Sequence, residues 1–325
     1  MVRYGITIPF DGVPLHQQQD WFQECADLGY TDFWSSEANG TDGFTPLALA
    51  AAWTPSMRLG IAIVPAYLRG PALLAQTVAA MAEAAPGRFV MGLGTSSDVI
   101  VGRWNGIPFD EPYKRTRDTV RFLKQALTGE KVDFDGTGFR VQGFRLGRRL
   151  AAEHVPPIAV AALRPGMLRM AGREADGAII NWLSADDVKK VVPEVLEGSG
   201  GAEREIVARI FVCPSTNAEQ VRSMGRFVIS TYLNVPVYAK FHEWLGRGPA
   251  LKEMWDNWQA GDRRAATASI PDEVVDDLIV HGTPEECRAH IDRYIANGVT
   301  TTALMLLPFG IDPRQAIRDL APSPS

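Results

Sequence analysis

The chain has 325 residues, 46% hydrophobic and 22% charged, with a formal net charge of -5. That apolar share is ample for a large core and excludes an intrinsically disordered chain. Acidic and basic residues are interspersed without runs of one sign, which counts against a nucleic-acid or membrane-surface protein.

The predicted elements alternate, each short apolar run bounded by Gly, Pro, Asn or Asp and followed by a segment of helical spacing. "YGITIPF" precedes a helix expected over Leu15 to Leu28, and "TDFWSSE" precedes "FTPLALAAAW". "RLGIAIVP" leads to the Ala-rich helix Pro71 to Ala85, and "RFVMGLG" to the helix Tyr113 to Leu127. "VDFDGTGFRV", alternating about Asp135 and Gly136, reads as an inserted hairpin. "VPPIAVAAL" with "PGMLRMAGREA" and "DGAIINWL" with "SADDVKKVVPEVLE" continue the repeat. "EIVARIFVCP" is a seventh strand and "TTALMLLP", after a helix Pro284 to Asn297, an eighth. Eight β-then-α units close a barrel more naturally than they extend an open sheet, so the fold class is α/β, a TIM (β/α)8 barrel with insertions. The expectation is one domain over 1–325, with a helical insertion at about 218–275 that carries Trp244, Trp255 and Trp258 and serves as a lid, a substrate wall or a packing and dimer contact. The tail "APSPS" reads as a frayed end.

Cys25, Cys213 and Cys287 are far apart and odd in number, which points to core thiols in a reducing compartment. "MVRYGITIPF" enters a strand directly, and no apolar run approaches the ~20 residues that span a bilayer, so the expected location is the cytoplasm.

In a closed β/α barrel the reacting groups lie at the C-terminal ends of the strands. Those positions hold few acids or bases and none of the five histidines; no metal-ligand ring, G-x-S-x-G or H-E-x-x-H is present, so no metal is expected and a cofactor should carry the chemistry. "GLGTSS" lacks the third glycine of a dinucleotide fingerprint; either its glycines only turn the chain, or Gly94, Thr95 and Ser96 offer amides and hydroxyls to a ligand edge. "AALRPGMLRMAG" ends a strand at Leu163 and opens a helix at Pro165, leaving the amides about Gly166 and Met167 free beside Arg164. That arrangement suits phosphate, with a helix-dipole contribution of about 0.3–2 kcal/mol; an ordinary helix start with a solvated arginine is the alternative.

"DFWSSEANGTDGFTPLALAAAWT", the long run from "RLGIAIVPAYLRGP" through "GRWNGIPF" to "RFLKQAL", and "AALRPGMLRMAGREADGAIINWL" together resemble the bacterial luciferase-like family, in particular actinobacterial oxidoreductases that use the deazaflavin coenzyme F420. The likeness extends to "GTPEECRAHIDRYIANGVTTTALMLLP". It implies a non-prolyl cis peptide at Ala62 and Ile63 that backs the isoalloxazine ring, with the small residues Gly60, Ala62 and Ala66 letting that ring approach the backbone. By the same resemblance Leu163, Arg164 and Gly166 hold the cofactor phosphate, Gly94, Thr95, Ser96 and Asn181 line the ring or ribityl chain, and Glu37 is the carboxylate to test as proton exchanger. Ala38 departs from the histidine of sugar-phosphate and alcohol dehydrogenase relatives, which puts their substrates in doubt. Arg69, Arg103, Arg164 and Arg169 are candidates for a basic groove along a polyglutamate tail. The implied activity is hydride transfer between F420 and a small organic substrate by a homodimer. The alternatives are an FMN-dependent monooxygenase using reduced flavin and oxygen, and a flavin- or deazaflavin-binding protein without turnover. Substrate identity is expected to lie in 218–275.

Overall fold

The computed structural model describes residues 2–322, so most of the tail expected to fray lies outside the described residues. In chain order the strands are β1 (Arg3–Thr7), β2 (Asp32–Ser35), β3 (Arg58–Ile61), β4 (Val64–Pro65), β5 (Phe89–Gly94), β6 (Val132–Asp135), β7 (Arg140–Phe144), β8 (Ile158–Ala161), β9 (Gly177–Asn181), β10 (Glu205–Cys213), β11 (Ile279–His281) and β12 (Thr301–Leu306). Parallel pairing runs β10–β12–β1–β2–β3–β5–β8–β9 and returns from β9 to β10, which closes an eight-stranded barrel. β4 continues the third barrel strand after a bulge, and β11 adds to the outer end of β10. β6 and β7 pair antiparallel as the expected hairpin, and Phe134, Phe139 and Phe144 pack around Phe122.

The outer helices are α1 (Gln19–Asp27), α2 (Phe44–Trp53), α3 (Pro71–Ala84), α4 (Pro112–Ala126), α5 (Pro165–Glu174) and α6 (Val188–Gly198). The segment after β10 is helical, as its spacing suggests: α7 (Ala218–Leu233), α8 (Pro236–Leu245), α9 (Gly248–Gln259), α10 (Arg263–Ala268) and α11 (Asp272–Leu278), before α12 (Pro284–Ala296) and α13 (Pro313–Asp319). Alanine and leucine facing inward let these helices lie close on the sheet. Ala75, Ala79 and Ala82 of α3 are buried with Leu74 and Val78.

The helix expected over Leu15 to Leu28 is broken. A single 3-10 turn, Leu15–Gln17, precedes α1, because the buried Gln18 folds back to accept from the Phe10 amide and donate to the Phe10 and Val13 carbonyls. α13 follows an Asp-Pro pair, with the Asp312 carboxylate accepting from the amides of Arg314 and Gln315. Cys25, Cys213 and Cys287 are free and buried. Among the described residues no helix is long and apolar enough to cross a membrane.

α8 carries a pH sensor of stability. His242 is fully buried; burial, aided by the positive charge of Arg247, outweighs an opposing contact with the Trp182 backbone and pulls its pKa down to about 3. The unfolded chain therefore binds a proton that the folded chain refuses between about pH 6.5 and 3, so stability falls as the pH drops through that window. Denaturant titrations from pH 7 to 4 check this: His242→Phe should flatten the slope.

Candidate functional site

Alternate residues of each strand face the barrel interior, and they stack in layers. At the N-terminal floor the Asp32 carboxylate, with no exposed side-chain surface, is paired with both Arg3 and Arg58; Arg58 also pairs with Glu205, and Glu205 accepts from the Thr301 hydroxyl at 2.5 Å. The next layer is apolar: Trp34, Val90, Ala159, Ile179, Val207 and Ala303. Trp34 fits there because Gly5 and Gly60 lack side chains, and a Cβ on Gly60 would lie 2.3 Å from the indole. The space expected at Gly60 for a planar ring is therefore occupied by the protein's own indole, a correction to the reading of that glycine. One layer higher, at the C-terminal mouth, a narrow interior gap is lined by Thr7, Trp34, Ser35, Ser36, Ala62, Arg209 and Ala303.

β3 ends at Ile61, where the chain bulges. The Ala62 amide donates to the Ser35 carbonyl at 2.6 Å, the Ala62–Ile63 peptide is cis, and β4 then rejoins β5 opposite Leu93 and Gly94. The cis bond stands at the two residues where the family resemblance puts it. The Ile63 side chain lies over Gly94, whose absent Cβ would come within 2.8 Å of it, and the Gly94 carbonyl accepts from the Ala66 amide. Gly94 thus contributes room and strand pairing. Thr95 and Ser96 follow at the rim, Ser96 with φ 61°, and the Thr95 hydroxyl donates to the Ser96 carbonyl at 3.3 Å.

Glu37, two residues past β2, is held on every side. Its carboxylate takes both terminal nitrogens of Arg69 at 2.6 and 2.7 Å and the Gly43 amide at 3.1 Å, while its own amide donates to the Ile63 carbonyl. The side chain is 9% exposed. It ties the 38–43 loop and the α3 entrance to the bulge, and both oxygens are engaged.

Arg164 precedes α5 in an extended conformation, Pro165 is the first helical residue, and no side chain caps the helix. The amides of Gly166 and Met167 are left without intrahelical partners, as in any first turn. Leu163 and Met167 turn their side chains onto the core, Gly166 has open space where a Cβ would be, and the exposed Arg164 forms no ion pair among the described residues. The other three arginines read as a groove are committed elsewhere: Arg69 to Glu37, Arg103 to Asp98 at 3.6 Å, and Arg169 to Glu194 and Glu197. Of the four, only Arg164 has no acidic partner among the described residues.

Asn181 ends β9, accepts from the Trp182 amide at 3.0 Å and faces the Tyr238 hydroxyl at 3.5 Å. Trp182 has φ 54°, rare for a bulky residue, and this turn lays its indole on Phe211 with centroids 3.9 Å apart. Sequence reasoning missed Arg209 of β10. A period-two reading of "EIVARIFVCP" would have found it, because it puts the arginine on the same face as Val207 and Phe211. No group of three His, Cys, Asp or Glu among the described residues could hold a metal ion.

Buried polar atoms without partners mark where a ligand belongs. Thr7 Oγ1, Trp34 Nε1 and Arg209 Nε are such atoms, and all three residues line the same gap beneath the bulge. The uncapped start of α5 suits the anionic end of a cofactor, and the three unpartnered atoms mark a separate, interior position for a ligand.

Residues 2–301 match the family described as luciferase-like monooxygenase. The 5,10-methylenetetrahydromethanopterin reductase of Archaeoglobus fulgidus is 25% identical over 98% of this chain and 97% of its own length. The F420-dependent glucose-6-phosphate dehydrogenase of Gordonia bronchialis is 32% identical over 51% of this chain and 52% of its own length. Among solved structures, the coenzyme F420-dependent tetrahydromethanopterin reductase of Methanopyrus kandleri superposes with a TM-score of 0.80 at 21% identity, covering 98% of this chain and 97% of that one.

Proposed function

The chain belongs to the luciferase-like monooxygenase family, and from that membership we propose an oxidoreductase that transfers a hydride between the deazaflavin coenzyme F420 and a small organic substrate. The observation that carries the reading is the uncapped N-terminus of α5 with an unpaired Arg164 beside it, at the C-terminal face of a barrel shared with proteins named as F420-dependent.

Leu163, Arg164, Gly166 and Met167 would hold the phosphate, through two backbone amides and one guanidinium. Ala62 and Ile63 would back the ring, with Thr95, Ser96 and Asn181 along its edge and Gly94 giving the space that Ile63 fills. The deazaflavin, when bound, supplies hydride exchange at one ring carbon. The chain's part is to exclude water, orient the substrate and position protons. Both Glu37 oxygens are taken by Arg69 and the Gly43 amide, so the side chain holds the mouth loop in place and reaches a substrate only if Arg69 swings away. We also assign the protein to the cytoplasm, where three reduced buried thiols are at home, to a single domain, and to a homodimer.

Fluorescence titration with F420 and with FMN tests the proposal. The expected result is tight binding of F420, weakened about 10- to 100-fold by Arg164→Ala, the worth of a charged hydrogen bond, with no change for a deazaflavin that lacks the phosphate. Binding of FMN with none of F420 overturns it.

A further inference from the structure

The barrel interior holds one guanidinium with no ion-pair partner among the described residues, Asp11 acting on it only at a distance. Arg209 stands on β10 opposite Asn181 of β9 and Ala303 of β12, one layer above the apolar Val207. Its Nε is enclosed without an acceptor, and Nη2 has only the Met305 sulfur, at 3.2 Å. No carboxylate among the described residues pairs with it, whereas the floor arginines Arg3 and Arg58 share Asp32 and Glu205. Burial pushes its pKa down, but a guanidinium retains its proton throughout the physiological range. An enclosed, unanswered cation is a standing cost to the fold and marks a site for a negative ligand.

The surroundings narrow the ligand. The guanidinium carbon lies 5.5 Å from the centroid of Phe211, which stacks on Trp182; Tyr232 of α7 continues that wall, and Tyr238 of α8 reaches Asn181. Thr7 Oγ1 and Trp34 Nε1 add two neutral unpartnered groups on the other side of the gap. One cation with neutral donors matches a monoanion rather than a dianionic phosphate, and the planar fork of an arginine matches the two oxygens of a carboxylate. We propose that Arg209 anchors the substrate and that the substrate is a carboxylic acid, its carboxylate taken by the guanidinium and its body extending toward Tyr238 and the exposed Tyr232, since Phe211 and Trp182 are buried against each other. The inference deepens the proposed function by giving its substrate class, and it rests on that reading.

Calorimetry with benzoate and its neutral counterpart benzamide tests it, on the F420-loaded and the unloaded protein. Wild type is expected to bind benzoate at least about tenfold more tightly than benzamide, the worth of one charge-assisted contact. Arg209→Gln should bring the two within about twofold while melting no lower than wild type, because it removes a desolvated charge. Arg209→Lys keeps the charge and loses the fork, so it should retain part of the preference; it carries the test if Arg209→Gln does not fold. Equal binding of the two probes by wild type, absence of benzoate binding at millimolar concentration, or an undiminished preference in both variants overturns the proposal. A protein that takes FMN and not F420 yet keeps the arginine-dependent preference sinks the proposed function and leaves the carboxylate site standing.

Discussion

Gly92→Ala will leave no folded protein to assay. A Cβ at residue 92 would stand 1.7 Å from the Ile61 carbonyl oxygen, 2.9 Å from its carbon and 2.8 Å from the Ile179 side chain. The first two are backbone atoms of β3, fixed by pairing with β2 and β5 just where the chain enters the bulge, so no rotamer change relieves the contact. The expected loss exceeds about 5 kcal/mol, the whole stability of a domain at the low end of the usual range. Circular dichroism and thermal melting of the soluble fraction check it. Gly166→Ala is the matched control: its Cβ meets nothing within 4 Å, and a surface change of that kind should stay within about 0.5 kcal/mol. A Gly92→Ala protein that melts like wild type would mean that β3 shifts freely.

Asp32→Ala should cost about 3–5 kcal/mol, the usual penalty for stripping one partner from a buried ionic cluster. The carboxylate has no exposed side-chain surface and takes Arg3, Arg58 and the Thr31 hydroxyl at once. Its removal leaves two guanidinium groups at the floor with only Glu205 to answer them. Glu205 itself pays for burial, but hydrogen bonds and charge from Arg58, then Thr301 and Arg3, hold its pKa below the usual carboxylate value. Its stabilising contribution is therefore complete above the unfolded value of about 4.5 and is lost as acid passes through the lower folded one. Urea denaturation at pH 7 measures the Asp32 effect. Arg140→Ala, which breaks a pair with side chains 65% and 70% exposed, should leave stability essentially unchanged in the same assay.

Much of this was legible in the residues because it is local. Strand-then-helix alternation is written in hydrophobic period, and the inserted hairpin in two alternating runs about Asp135 and Gly136. The α5 entrance is written in a proline at the first helical position. What escaped is set by partners distant in the chain. That Gly60 accommodates Trp34 depends on which strands neighbour one another and how deep each residue sits. The break at Gln18 depends on a carboxamide finding backbone groups at Phe10 and Val13, which no periodicity encodes. α13 carried its own signal, an aspartate before a proline, overlooked because the helix is only about two turns long. Arg209 sat in plain view, and only the parity of its strand distinguished an interior arginine from a solvated one.

The ionic floor and the Trp34 layer have a corollary for access. A vessel sealed at its base has a single doorway, so neither reactant can come in from below. Cofactor and substrate share the approach at the C-terminal face, and solvent has no second route to them through the floor.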